Sequence, residues 1–228
     1  MATVSLSTLD DPEVLVIPAG IRDLRSFRDW AHSDAFPDRG RISYLRGEII
    51  VDMSAEEVES HNKVVTELTR GIATIVKADD RGELLIERVL FINSEADISN
   101  EPDLIFCAWE TLTSGRAAYC EYVAGSGRYV EVYGSPDLIV EIVSRSSVKK
   151  DTKLLFEGYF DAGVREYWLI DARGPEIDFR IHRRGRGRFQ RIKPDQEGFV
   201  RSQVLGRAFR LTRARNPIGG WRYELLGR

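Results

Sequence analysis

Apolar positions along the chain recur with two periods. Behind Ser54, the residues Val58, Val64, Val65, Leu68, Ile72 and Ile75 repeat at three- and four-residue spacing with His61 on the same stripe, which predicts a long helix from a Ser54 cap to about Lys77. Ile21, Leu24, Phe27 and Trp30 predict a shorter helix over 21–32. Between the two, 42–45 and 48–53 read as a hairpin turned at Arg46-Gly47. The pattern then shortens to strands over 84–92, 104–109, 128–133 and 138–143, followed by a helix over 149–162 that Gly163 ends and a strand over 167–170. Stretches 176–183 and 188–193 flank Arg184-Gly185-Arg186-Gly187 and predict a β-ribbon with an arginine-loaded turn. This order gives an α/β fold with a mixed central β-sheet flanked by helices. Residues 1–18 read as a flexible N-terminal arm, 19–198 as one domain, and 199–228 as a C-terminal extension packed on that domain.

Composition narrows the class. The chain has 228 residues, 43% apolar and 30% charged, enough for one sizeable core and too apolar for a disordered tail. No stretch approaches the ~20 apolar residues of a membrane-spanning helix, and acids stand in MATVSLSTLDDPEV where a signal peptide carries a basic flank, so the expectation is a soluble, cytoplasmic protein with no membrane partner. Two cysteines and three histidines are too few for a disulfide framework or a structural zinc site. The net charge of −3 hides an asymmetry, because residues 180–215 carry twelve Lys/Arg and two acids, leaving the remainder at −13. An arginine-rich segment beside an acidic body suits a protein that meets a polyanion, although arginines paired with body acids explain the count equally well.

The informative segment is Asp137-Leu-Ile-Val-Glu141-Ile-Val-Ser144, where a carboxylate interrupts an apolar strand. An unpaired carboxylate there costs several kcal/mol, so Glu141 requires a cation, a strong hydrogen-bond donor or an edge location open to water. Asp137 shares its face but lies roughly 13 Å away by strand rise, too far to share one ion. The acid at the start of a neighbouring strand that fits best is Asp103, and two carboxylates favour Mg²⁺ or Mn²⁺. Asp137 and His61 are secondary candidates; Asp137 also reads as a strand-edge acid and His61 as a hydrogen-bonded core histidine. Tyr159, Phe160, Tyr167 and Trp168 read as core aromatics rather than as base-stacking platforms.

The segments EPDLIF, SPDLIVEIVS and SSVKKDTKLLFEGYFDAGVREYWLIDARG, with Gly47-Glu48, Met53-Ser54 and the His61 helix upstream, resemble the Uma family, a bacterial branch of the restriction-endonuclease-like PD-(D/E)xK superfamily. The likeness covers roughly residues 20–193, and AGVREYWLID is its most specific part. It implies a restriction-endonuclease-like core and metal-dependent hydrolysis of DNA phosphodiesters. Asp103 then resembles the first metal-binding aspartate and Glu141 the second acid. The superfamily lysine, two residues after that acid, is Val143 here. The resemblance implies an amine from the following helix instead, where Lys149, Lys150 and Lys153 stand. The common family lysine falls on Leu155. Lys153 is the first choice and Lys150 the second.

In this reading a carboxylate-held Mg²⁺ polarises the scissile phosphate and a lysine offsets developing charge. Arg183, Arg184, Arg186, Arg188 and Arg191 hold DNA phosphates, and a homodimer supplies two cuts. Val143 and Leu155 motivate a second reading, a catalytically silent nucleic-acid-binding or regulatory module on the nuclease fold. Hydrolysis of a small phosphorylated molecule is a weaker third. The nuclease reading fails if the two carboxylates face opposite sides of the sheet, or if one is locked onto an arginine.

Overall fold

A computed structural model describes residues 15–228. The expected arm at 1–18 lies outside the described residues up to position 14, while Leu15 and Ile17 pack on the cluster around the first helix, α1 (Leu24–Ala31). Asp23 caps α1, its carboxylate accepting the Ser26 N–H at 2.8 Å.

Two six-stranded sheets form the body. The first runs β2-β1-β5-β4-β8-β7, built from β1 (Arg41–Leu45), β2 (Glu48–Asp52), β4 (Leu90–Asn93), β5 (Ile98–Asn100), β7 (Ala117–Glu121) and β8 (Tyr129–Gly134). The second runs β12-β11-β10-β9-β6-β3, from β3 (Gly82–Ile86), β6 (Leu104–Ala108), β9 (Leu138–Ile142), β10 (Glu166–Asp171), β11 (Asp178–Arg184) and β12 (Phe189–Arg191). Both are mixed: β4–β8 and β9–β10 are parallel and the other pairs antiparallel. The expected α/β architecture is present, with its single central sheet resolved into two. β9 and β10 are buried along their length, as parallel neighbours covered on both faces must be.

Alternation along β6, β9 and β10 divides the core. Leu104, Phe106, Leu138, Val140, Ile142 and Trp168 face α2 (Lys63–Ala78) and a third, antiparallel sheet of β13 (Val200–Arg201), β14 (Ala208–Arg215) and β15 (Trp221–Gly227). Phe209, Leu211, Tyr223 and Leu225 of that sheet join Leu68 and Ile72 in one cluster. Ile105, Cys107, Ile139, Val143 and Leu169 face the other way, against α4 (Leu155–Asp161) and the first sheet. The short α3 (Trp109–Thr113) follows β6.

Three boundaries differ from the sequence reading. The long helix starts four residues later than its expected cap, with a π-helical turn (Val58–Asn62) leading into α2, because Ser54 bonds to Asp52 and Ser146 and holds the chain extended. The strand expected over 84–92 is two strands in different sheets, since Glu87 and Arg88 adopt positive φ (21° and 59°) and break it. The ribbon at 176–193 is the outer edge of the second sheet, β11 pairing with β10 as well as with β12.

Candidate active site

The β6–β9 register pairs Leu104 with Val140 and Ile105 with Ile139. One step further the same register sets Asp103 opposite Glu141, on the face shared with Ile105 and Ile139, because directly opposed residues of an antiparallel pair point to one side. Asp103 Oδ2 accepts the Ile142 N–H at 2.6 Å across this junction. The two acids therefore converge, and both are buried.

A π-helical turn (Lys150–Leu154) before α4 brings Lys150 and Asp151 to the same place. Lys150 Nζ lies 3.4 Å from Asn100 Oδ1 and 3.6 Å from Asp151 Oδ1. Burial opposes its charge, but Glu141 and Asp151 outweigh that and hold the ammonium above its usual range. Burial likewise pushes Glu141 up to about 8 despite the nearby Lys150, and Asp151 up to about 6. Asn100 Nδ2 (3.0 Å) and the Tyr159 hydroxyl donate to Glu141 Oε1, and Ser43 Oγ fixes Asn100 by donating to its Oδ1 at 2.6 Å.

The outer side of the pair is cationic. Arg41 Nη1 approaches Asp103 Oδ1 at 3.1 Å and its Nη2 meets Glu56 Oε1 at 3.0 Å. His61 stands between the same two acids, Nδ1 2.7 Å from Glu56 and Nε2 3.4 Å from Asp103. Burial disfavours its charge, but the two carboxylates prevail and push it up to about 10. Asp103, although buried, is held below its usual value by His61, Arg41 and the Ile142 N–H. Neither cation is aligned for a hydrogen bond, and Asp103 Oδ1 is a buried acceptor with no hydrogen-bond partner. Asp103 is nevertheless ion-paired with Arg41 at 3.1 Å, the arginine contact that weighs against a metal-binding role for it.

Two facing carboxylates are the donor type a hard cation takes, its shell completed by water and phosphate oxygens, but Arg41 and His61 approach the same Asp103 oxygen and would have to share it with such an ion. Among the described residues no group of three or more His, Cys, Asp and Glu side chains gathers around one point, so any such ion would rely on these two acids.

Other expected site residues lie elsewhere. Lys153, the first-choice amine, is exposed, because three residues along the helix from Lys150 its side chain points to water. Asp137 sits at the far end of β9, where it accepts from the Ala108 N–H and Arg116 at 2.8 Å each and pairs with Arg165 at 3.0 Å; it is a structural ion pair. The arginine-loaded turn is also at that far end. The β10–β11 register sets Arg180 beside Leu169, level with Glu141, and Arg183 beside Glu166, roughly 10 Å further from the site with Arg184, Arg186 and Arg188 beyond it. Arg191 instead pairs with Asp178 and Arg184 with the Phe160 carbonyl and ring.

Arg41, Glu56, Asn100, Asp151 and Tyr159 were not foreseen as site residues. Asp151 stands within the motif that carries the resemblance, and Tyr159 was read as core, which it is on all but its hydroxyl. Asn100 and Arg41 give no local signal, since each is brought in by packing of the first sheet against the second, onto partners more than forty residues away.

A mixed sheet bearing a convergent carboxylate pair, with a buried lysine delivered from the next helix, defines a nuclease-type fold. The chain belongs to the Uma2 family, described as "Putative restriction endonuclease", whose family model matches residues 24–214. It is also similar in fold to the crystal structure of "a putative nuclease belonging to DUF820" from Anabaena variabilis ATCC 29413, with a TM-score of 0.53 and 18% identity over 72% of this chain and 83% of that one. No curated protein matches the chain.

Proposed function

We propose that this protein is a divalent-metal-dependent DNA endonuclease working at Asp103 and Glu141, with Lys150 as the catalytic amine. The observation that carries the reading is the placing of two buried acids opposite each other one step beyond the last β6–β9 pair, Leu104 with Val140, beside a buried lysine, an arrangement too costly to keep for stability alone. A hard cation bound by these acids supplies charge against the scissile phosphate and a water of lowered pKa. Lys150, fixed by Asn100 and Asp151, offsets negative charge developing on the phosphate. Tyr159 and Asn100 orient Glu141 through Oε1, leaving its other oxygen for the ligand. Arg41 and His61 keep Asp103 ionised inside the protein.

One observation favours the silent-module reading: Arg41 already neutralises Asp103 from 3.1 Å. Supercoiled plasmid incubated with Mg²⁺ or Mn²⁺ separates the two. The endonuclease converts it to nicked and linear forms, and Glu141→Gln loses this activity by about 100-fold or more. Salt-sensitive DNA binding with no nicking by the wild-type protein would establish the silent module. Equal nicking by both proteins removes Glu141 from the chemistry.

A further inference from the structure

The basic ribbon lies at the wrong end of the sheet to hold a nucleic acid over the carboxylates, and a different basic element stands at the right end. The tip of the β14–β15 hairpin is tied to two segments that border the site. Glu59, in the π-helical turn that also carries His61, accepts the Trp221 N–H at 2.7 Å, and Lys63 donates to the Trp221 carbonyl at 3.1 Å. Arg213 donates to the carbonyls of Ala172, Gly174 and Pro175 at 2.8, 2.6 and 2.7 Å, pinning the hairpin to the loop after β10. From that loop Arg173 donates to the Ser144 carbonyl at 3.2 Å, at the end of the strand that bears Glu141.

The tip is built to present charge. Residues 210–222 contain Arg210, Arg213, Arg215 and Arg222 and no acid. The guanidinium carbons of Arg213 and Arg215 lie 4.1 and 3.7 Å from the Trp221 ring centroid, which orders both side chains. Arg215 spends one N–H on the Gly219 carbonyl and makes no hydrogen-bonded ion pair, although the Glu59 carboxylate is close enough to feel its charge. Arg222 is exposed and forms no ion pair among the described residues. Ile218, at the apex, is 91% exposed. Arg145, in the turn after β9, adds a further exposed cation. Glu59 is engaged by Lys63 and the Trp221 N–H and Asp171 by Arg173, while Glu224, two residues after Arg222 on the same face, is an exposed acid.

We infer that the β14–β15 hairpin tip, through Arg215 on one face and Arg222 on the other with Ile218 at the apex between them, is the surface that grips the phosphate backbone of duplex DNA beside the carboxylate site. The inference rests on the endonuclease reading and adds where the substrate lies. The planar Arg215 guanidinium, ordered on Trp221, matches phosphate oxygens bidentately, the exposed Arg222 adds a second cation, and an apolar apex suits the floor of a groove. The tip, 215–222, lies just past the residues that the family model matches.

Fluorescence anisotropy with a labelled DNA duplex in EDTA, where nothing is cut, tests it across about 50–200 mM salt. Arg215→Ala/Arg222→Ala is expected to weaken binding about tenfold and to lower the slope of log affinity on log salt by about 2, while Arg215→Lys/Arg222→Lys keeps most of that slope. Ile218→Asp, a change at a site without packing, weakens binding as well. Arg183→Ala/Arg186→Ala/Arg188→Ala binds within about twofold of wild type. Unchanged binding by the hairpin variants, or loss confined to the ribbon variant, overturns the inference while leaving the endonuclease reading intact if plasmid is still nicked. A tighter complex with duplex RNA overturns the choice of DNA. A wild-type protein that neither binds nor nicks DNA overturns both readings.

Discussion

Glu141 is the residue whose burial has the clearest measurable effect. With its carboxyl pushed up to about 8, it holds a proton at neutral pH that an unfolded chain, near 4.5, has already lost. A native group that keeps its proton longer makes stability fall as pH rises between those values. His61 acts in the same direction: raised from 6.5 to about 10, its stabilising charge is complete below 6.5 and is lost as pH rises through 10. Thermal melts are therefore expected to show stability declining from pH 6 to pH 9. Glu141→Gln, which removes the titration but keeps the shape, melts higher than wild type at the alkaline end, by about 1 kcal/mol, with a shallower decline. A melt that rises over this range would contradict the assignment. The two lysines give a sharper contrast. Lys150→Ala is expected to reduce plasmid nicking by about 100-fold, whereas Lys153→Ala, at an exposed position, stays within about twofold. The sequence carried Asp103 and Glu141 plainly, because acids inside apolar strands are costly. It could not choose between the lysines, since that depends on how many residues each turn of the helix holds.

At the level of elements, the third sheet belongs to the core of the molecule and is no appendage. Phe209 is completely buried and its ring centroid lies 5.0 Å from that of Trp168 in β10, and Leu225 packs so closely on α2 that a Cβ at Gly71 would stand 2.8 Å from it. Phe209→Ala should cost about 4 kcal/mol in denaturant-induced unfolding of the whole chain. A separate early transition for residues 199–228 would instead mark an independent unit. Regular elements such as α1, β1–β2, β9 and α4 were legible, because each repeats its own period and ends at a recognisable residue such as Gly163 (φ 81°). The short β5 and β7 were not, as three and five residues carry too little periodicity to stand out. The break at Glu87-Arg88 was hidden for another reason: it uses positive φ in residues that rarely adopt it, and no glycine announces it.

Across the whole molecule, the positive charge counted along 180–215 divides between the two ends of the sheets. Arg183, Arg184, Arg186 and Arg188 go to the end remote from the acids, while Arg213 and Arg215 come to the near end. Counting charge along a chain finds a basic segment but not its direction, which depends on pairings such as Glu166 with Arg183 that join distant stretches. No helix among the described residues is long and apolar enough to cross a membrane. The wide turn at Lys150–Leu154 has one last consequence. In an unbroken α-helix, the path from Lys150 to Tyr159 covers about two and a half turns, so the two side chains would leave the rod on opposite flanks. Here both reach Asn100, Lys150 at its oxygen and Tyr159 at its nitrogen. Slackened winding over one turn corrects the phase between them, so restoring ordinary pitch would carry the amine out of the buried cluster without altering a single atom that it touches.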